Sequence, residues 1–265
     1  MILVYFLVAA AAAYQLLALV SALRHMAKKD RAPSALPPVS ILKPVRGLDP
    51  HFGEAIRSHA LLDYPEYEVL FGVADPSDPA VGEIRRLIES YPEHPLRLVT
   101  VSTQAANGKV GALLDLAKEA RYPLLLVNDS DIHVPPDYLR RIVPPLEDPA
   151  AGMVTCLYRA ASDDWPGRWE ALGIATDFAA GVLVAPLVGV REFGLGSTLL
   201  FRAADLEAIG GFAALADYIA DDYQLARRIT GLGRRVELSR LVVTTWLSGR
   251  TWGEVWRHQA RWART

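Results

Sequence analysis

Two carboxylates, Asp129 and Asp131, stand two residues apart within residues 124–134 (LLLVNDSDIHV). Paired hard oxygen ligands suit Mg²⁺ or Mn²⁺, which usually takes one or two carboxylates together with substrate phosphates. The apolar residues before them read as a buried strand, and Pro135 and Pro136 close the segment. Strand side chains alternate faces, so this spacing points both carboxylates the same way where the chain leaves the sheet. A polar turn that caps a helix near Pro136 accounts for the same residues without a metal. A second acidic pair, Asp221 and Asp222, stands at a predicted helix start, where the helix dipole favours carboxylates. It serves either as an N-cap pair or as the source of a base within hydrogen-bond reach of a hydroxyl. Lys109 follows a turn and begins a helix, where backbone N–H groups and an ammonium can hold a phosphate; a solvated lysine is the alternative. Arg261 can pair with phosphate oxygens while Trp262 packs, or their amphipathic helix can lie on a membrane surface.

These residues need elements that carry them to one place. Residues 39–44, 67–74, 96–101 and the run from 124 that ends in Asp129 and Asp131 read as strands, separated by predicted helices over 52–62, 79–91 and 110–120. Such βαβα alternation predicts a mostly parallel sheet covered by helices on both faces. In open sheets of this kind, ligands sit beyond the carboxyl ends of the strands. Lys43, Asp75 and Asp129 all stand at strand ends, so one crevice can collect them. The second half is less regular. Residues 163–169 break the pattern, and the apolar run 178–190 contains Pro186 and is too short to span a bilayer, so it reads as buried or interfacial. Residues 194–201 regain strand character, 205–209 form a short helix, and a longer helix follows Asp221 and Asp222. A last strand is expected over 242–246 and a helix over 251–264.

Residues 2–23 carry no charge and match the length of a bilayer span. Arg24, Lys28, Lys29 and Arg31 follow at once, so the positive-inside rule puts the rest of the chain in the cytoplasm. A cleaved signal peptide has a basic start and a shorter apolar core, and this segment has neither. The expected organisation is a single transmembrane anchor over 1–24, a basic, proline-rich linker over 25–38 and a catalytic domain over 39–265. A net charge of −2 in 265 residues offers no basic field for nucleic acid. The lone cysteine, Cys156, excludes an intramolecular disulfide and fits a core strand, and the six histidines form no metal-like cluster with it.

The motifs together resemble a family. Lys43-Pro-Val-Arg-Gly-Leu-Asp49, Asp75, Asp129-Ser-Asp131, Tyr218-Ile-Ala-Asp-Asp-Tyr223 and Arg261-Trp262 occur in the order seen in ceramide glucosyltransferases. The resemblance covers 39–262 and is nearest to the bacterial hopanoid-associated branch. It implies a GT-A fold and an inverting, membrane-bound transferase that moves glucose or N-acetylglucosamine from a UDP-sugar to a lipid hydroxyl, of ceramide or of a hopanoid such as bacteriohopanetetrol. By the same resemblance, Asp75 contacts the uridine, Asp129 and Asp131 hold Mg²⁺ or Mn²⁺ at the diphosphate, and Asp222 is the catalytic base beside Asp221. Lys43, Lys109, Asp221, Arg261 and Trp262 join the substrate-binding residues. The chain departs from the family pattern where His258, followed by Gln259, occupies a position usually Gln or Arg. The relatives also continue into further membrane helices, a region expected to be missing here. A processive polysaccharide synthase and a non-catalytic nucleotide-sugar-binding membrane protein are the competing readings.

Overall fold

The computed structural model describes residues 1–30, 33–247 and 249–263. Arg31 of the basic flank, Ala32 of the linker and Arg264 of the predicted C-terminal helix lie outside the described residues. In chain order the first half comprises α1 (Ile2–Ala27), β1 (Val39–Val45), α2 (Phe52–Ala60), β2 (Tyr67–Val73), α3 (Ala80–Ser90), β3 (Leu96–Thr100), α4 (Gly108–Glu119) and β4 (Leu124–Val127). The second half adds α5 (Tyr138–Ile142), β5 (Ala151–Ala161), α6 (Trp165–Gly173), α7 (Ala179–Val184), β6 (Leu199–Arg202), α8 (Ala203–Ala208), α9 (Asp221–Gly231), β7 (Arg235–Trp246) and α10 (Trp252–Trp262).

The strands form one sheet in the order β3-β2-β1-β4-β6-β5-β7. It is mostly parallel, as expected; only β6 runs against its neighbours, β4 and β5. Because a parallel sheet is covered on both faces, its strands are apolar on both. Val39 and Ile41 of β1 face a core built with Phe52 and Ile56 of α2, Ile84 of α3 and Leu139 of α5. Leu42 faces the opposite core, with Val110 and Leu113 of α4 and Leu225 and Ile229 of α9. Helices therefore cover both faces. After β3 the chain returns to place β4 on the other side of β1, which makes the carboxyl ends of β1 and β4 the point where strand order reverses. A crevice opens at such a point.

Three expectations are corrected here. The central strand ends at Val127, so Asp129 and Asp131 sit on the turn that follows it, and strand alternation is not what orients them. The last strand is not 242–246 but the twelve-residue β7, which pairs in parallel with β5 along most of its length. Residues 163–169 do not interrupt the fold. Asp164 caps α6 by accepting from the Gly167 amide at 2.7 Å, and the chain stays helical through a π turn (Ile174–Phe178), α7 and a 3-10 turn (Ala185–Val188). That run and α1 are each long and apolar enough to cross a membrane. Few residues of the run are buried and 178–186 are mostly half-buried, and α7 packs against α1, where Gly181 faces Tyr14.

Candidate active site

The residues at the crevice are held by buried polar chemistry beneath them. Asn128, fully buried at the end of β4, accepts a close hydrogen bond from Lys43 Nζ and donates through Nδ2 to the Ser197 carbonyl at 2.5 Å. Lys43 also donates to the Asp129 carbonyl at 2.8 Å. An unpaired buried ammonium is costly. Burial accordingly pushes the Lys43 ammonium down to about 7, with the charges of Asp131 and Asp129 acting the other way. Lys43 was expected to contact substrate, but no part of it is exposed. It supports the acidic turn from behind instead, a correction that follows from its place in the middle of a strand covered on both faces.

Above this base, the two acidic pairs meet. Lys109 Nζ donates to Asp129 Oδ1 at 2.6 Å and stands 3.7 Å from Asp221 Oδ2. Burial works against the Lys109 ammonium, but the neighbouring carboxylates of Asp129 and Asp221 outweigh it and hold the ammonium above the ordinary lysine range. Lys109 reaches this point because Asn107 caps α4, accepting from the Lys109 amide at 3.0 Å, while its Nδ2 donates to Asp221 at 3.2 Å. Asp221 and Asp222 open α9, as the sequence predicts. Asp222 Oδ2 accepts from the Gly196 amide at 3.2 Å and Oδ1 from the Tyr223 amide at 2.7 Å.

Burial, and then the adjacent Asp221 charge, raise the Asp222 carboxyl above its ordinary value, while Lys109 opposes them. A base must be deprotonated, so activity carried by Asp222 falls as pH drops through this raised value. Removing the Asp221 charge relieves the repulsion. Asp221→Asn is therefore expected to move the acid limb of the pH–rate profile to lower pH, read from initial rates at saturating donor across pH 4 to 8.

Asp131 accepts a close hydrogen bond from Thr245 Oγ1 of β7, and β7 is brought there by the backbone pairing of His133 with Thr244. Burial and the Asp129 charge raise the Asp131 carboxyl. Among the described residues no group of three or more histidine, cysteine or acidic side chains converges on a metal position. The donor set is thus two hard carboxylates, of which Asp129 is paired with Lys109 and Asp131 forms no ion pair among the described residues. That set fits a divalent cation whose remaining ligands are diphosphate oxygens and water.

A cleft of about 530 Å³ borders Asp131 and is lined by Asp49, Trp246, Arg250, His258 and Arg261 among others. Arg261 therefore lines the same cleft as Asp131. The Trp262 ring packs 4.6 Å from His258 and 5.8 Å from Phe178, which ties α10 to the π turn. Asp75 stands at the carboxyl end of β2, exposed, and accepts from the Ser77 amide at 2.8 Å and the Ser77 hydroxyl at 2.7 Å. Sequence reasoning missed Asn128, Thr245 and Gly196. A Cβ on Gly196 would lie 2.9 Å from Asp129 Oδ2, so the backbone approaches the acidic turn where a side chain would intrude. The Gly-x-Gly of residues 194–196 was the available signal for Gly196; Thr245 had none.

The mannosyltransferase from Pyrobaculum calidifontis in complex with GDP-Man and Mn²⁺ matches the fold with a TM-score of 0.69 and 24% identity, over 97% of this chain and 75% of that one. Ceramide glucosyltransferase 1 of Caenorhabditis elegans is 26% identical over 82% of this chain and 46% of its own length. Beta-monoglucosyldiacylglycerol synthase of Synechocystis sp. is 25% identical over 88% of this chain and 49% of its own length. The chain thus spans about half the length of the curated relatives it matches. The profile of glycosyl transferase family 21 matches residues 3–265, nearly end to end. With that match over nearly the whole chain, and a GT-A-like sheet beneath it, the chain belongs to glycosyl transferase family 21.

Proposed function

We propose that this chain carries the donor-binding and catalytic part of a metal-dependent inverting glycosyltransferase that moves a hexosyl group from a UDP-sugar to the hydroxyl of a membrane lipid. One observation carries the reading: Lys109 bridges the Asp129 end of one acidic pair to the Asp221 end of the other, so both pairs border one crevice. In that crevice Asp222 takes the acceptor proton, and the hydroxyl oxygen attacks the anomeric carbon from the face opposite the diphosphate. The bond to the diphosphate breaks as the new glycosidic bond forms, which inverts the centre without a covalent enzyme intermediate. Mg²⁺ or Mn²⁺ held by Asp129 and Asp131 supplies charge neutralisation of the departing diphosphate. Lys109 and Arg261 add fixed positive charge on the same side, and such preorganised charge is worth most where water is excluded. Asp75, at the exposed end of β2, is the uridine contact.

The acceptor class is argued from what the relatives' names carry, ceramide and diacylglycerol, and from the family likeness to hopanoid-associated enzymes. The apolar α1, followed by Arg24, Lys28 and Lys29, supports a cell-membrane location with one anchoring span and the catalytic residues on the cytoplasmic side. The test is UDP release from UDP-glucose and UDP-N-acetylglucosamine by the detergent-solubilised chain, with and without Mn²⁺. The acceptor panel holds ceramide, diacylglycerol and a hopanoid polyol. Release that needs both metal and one lipid is expected. Metal-dependent UDP binding with no release under any condition would overturn the transferase reading in favour of a binding protein.

A further inference from the structure

Glu170 is a carboxylate with no exposed side-chain surface, on a helix that contributes nothing else to the crevice. A buried charge of this kind persists only when partners compensate it. Its partners all come from one segment. Arg250 Nη1 donates to Glu170 Oε2 at 2.6 Å, while His258 Nδ1 approaches Oε1 closely and Gln259 Nε2 donates to Oε1 at 3.2 Å. A second carboxylate of the same region, Asp164, accepts from the Gly249 amide at 2.5 Å. The start of α6 is pressed against this segment's approach: a Cβ on Gly167 would lie 2.8 Å from the Leu247 carbonyl.

These carboxylates hold α10 and the residues just before it, alongside the buried Val255 and the contact of Trp262 with Phe178. Of the described residues of α10 only Val255 is buried, while Trp252 and Trp256 are 59% and 76% exposed. Apolar contacts on α10 are thus few, and the polar contacts of His258 and Gln259 with Glu170 add a second constraint on its rotation. Residues three apart on a helix share a side, so fixing His258 on Glu170 fixes Arg261 one turn further on. Arg261 and His258 both line the cleft beside Asp131. The departure from the family motif also finds a physical reason, because His258 and Gln259 each spend their side chain on the same carboxylate.

We propose that Glu170 is a positioning residue that clasps α10 to α6 and so holds Arg261 on the diphosphate side of the acidic turn; this role rests on the glycosyl-transfer reading above. Glu170 touches no reacting atom. It acts through the placement of Arg261, so its effect disappears when Arg261 is absent.

The test uses the full chain with Glu170→Gln, Arg261→Ala and the double variant. Measured are KM for the UDP-sugar, kcat, the affinity of UDP in Mn²⁺ by titration calorimetry, and amide hydrogen exchange across α10. Glu170→Gln is expected to weaken UDP binding and raise the donor KM about tenfold, as loss of a charge-assisted contact does. The double variant should be no worse than Arg261→Ala alone, which a general folding defect would not produce. Exchange in α10 should rise about tenfold while exchange in α2, α3 and α4 stays unchanged. His258→Ala breaks the clasp from the α10 side and gives the same pattern if Glu170→Gln fails to fold. Multiplying effects in the double variant, or unchanged α10 exchange, would overturn the clasp. A wild-type chain without turnover would fail the transferase reading separately, because the exchange and UDP-binding measurements still read the clasp.

Discussion

Asp222→Asn is expected to lower acceptor-stimulated sugar transfer by roughly 10²–10⁴-fold, the usual loss when a general base is removed. UDP affinity in Mn²⁺ should stay near that of the wild type. Asparagine has nearly the shape of aspartate and keeps an oxygen that accepts from the Tyr223 amide. Its NH₂ then faces the Gly196 amide, donor against donor, which costs about 1–3 kcal/mol of stability but not the fold. What asparagine cannot do is take a proton. The measurement is kcat and KM at saturating lipid, with UDP titration and thermal unfolding as controls. An active Asp222→Asn would move the base elsewhere, and Asp221 would be the first residue to examine.

The second large effect concerns the metal. Asp131→Asn is expected to weaken Mn²⁺-dependent UDP binding by at least about 100-fold, since even outer-shell partners of metal ligands are worth 10–100-fold. Turnover should fall in parallel. Asp131 is a cleaner probe than Asp129, because Asp129 also pairs with Lys109 and its loss would disturb the link to Asp221. The partner of Asp131 is the Thr245 hydroxyl, which can donate equally well to an asparagine oxygen. Titration of UDP with Mn²⁺ and then with EDTA reads the effect. Equal UDP affinity in both, in the wild type, would remove the metal from the mechanism.

The half of the molecule from β1 to β4 was legible because its information is local. Parallel strands covered on both faces must be apolar runs, and helices between them must show one apolar stripe, so each element announces itself. The same locality made Asp129, Asp131, Asp221 and Asp222 visible, since a pair of carboxylates at an element's end is a local pattern. Local reasoning also misled. It carried β4 through the acidic turn, although the strand ends at Val127 and the buried Asn128 side chain turns to Lys43 and to the Ser197 carbonyl. It read residues 163–169 as a break, although Asp164 and Pro166 are a good helix start with a cap and a proline in the first turn. It counted Lys43 among substrate contacts, whereas packing leaves it fully buried.

From the sequence by itself came the sheet class, the order of the elements, the apolar N-terminal helix, the two acidic pairs and the family they resemble. Each rests on residues near one another in the chain. Tertiary structure alone decided that Lys109 joins the pairs, that Thr245 orients Asp131 across 114 positions, and that Glu170 gathers Arg250, His258 and Gln259. These are contacts between single polar side chains far apart in sequence. A lone threonine or glutamate has no periodicity to reveal its partner, and only the folded sheet, by placing β7 beside β5 and α6 beside α10, brings the two ends within reach.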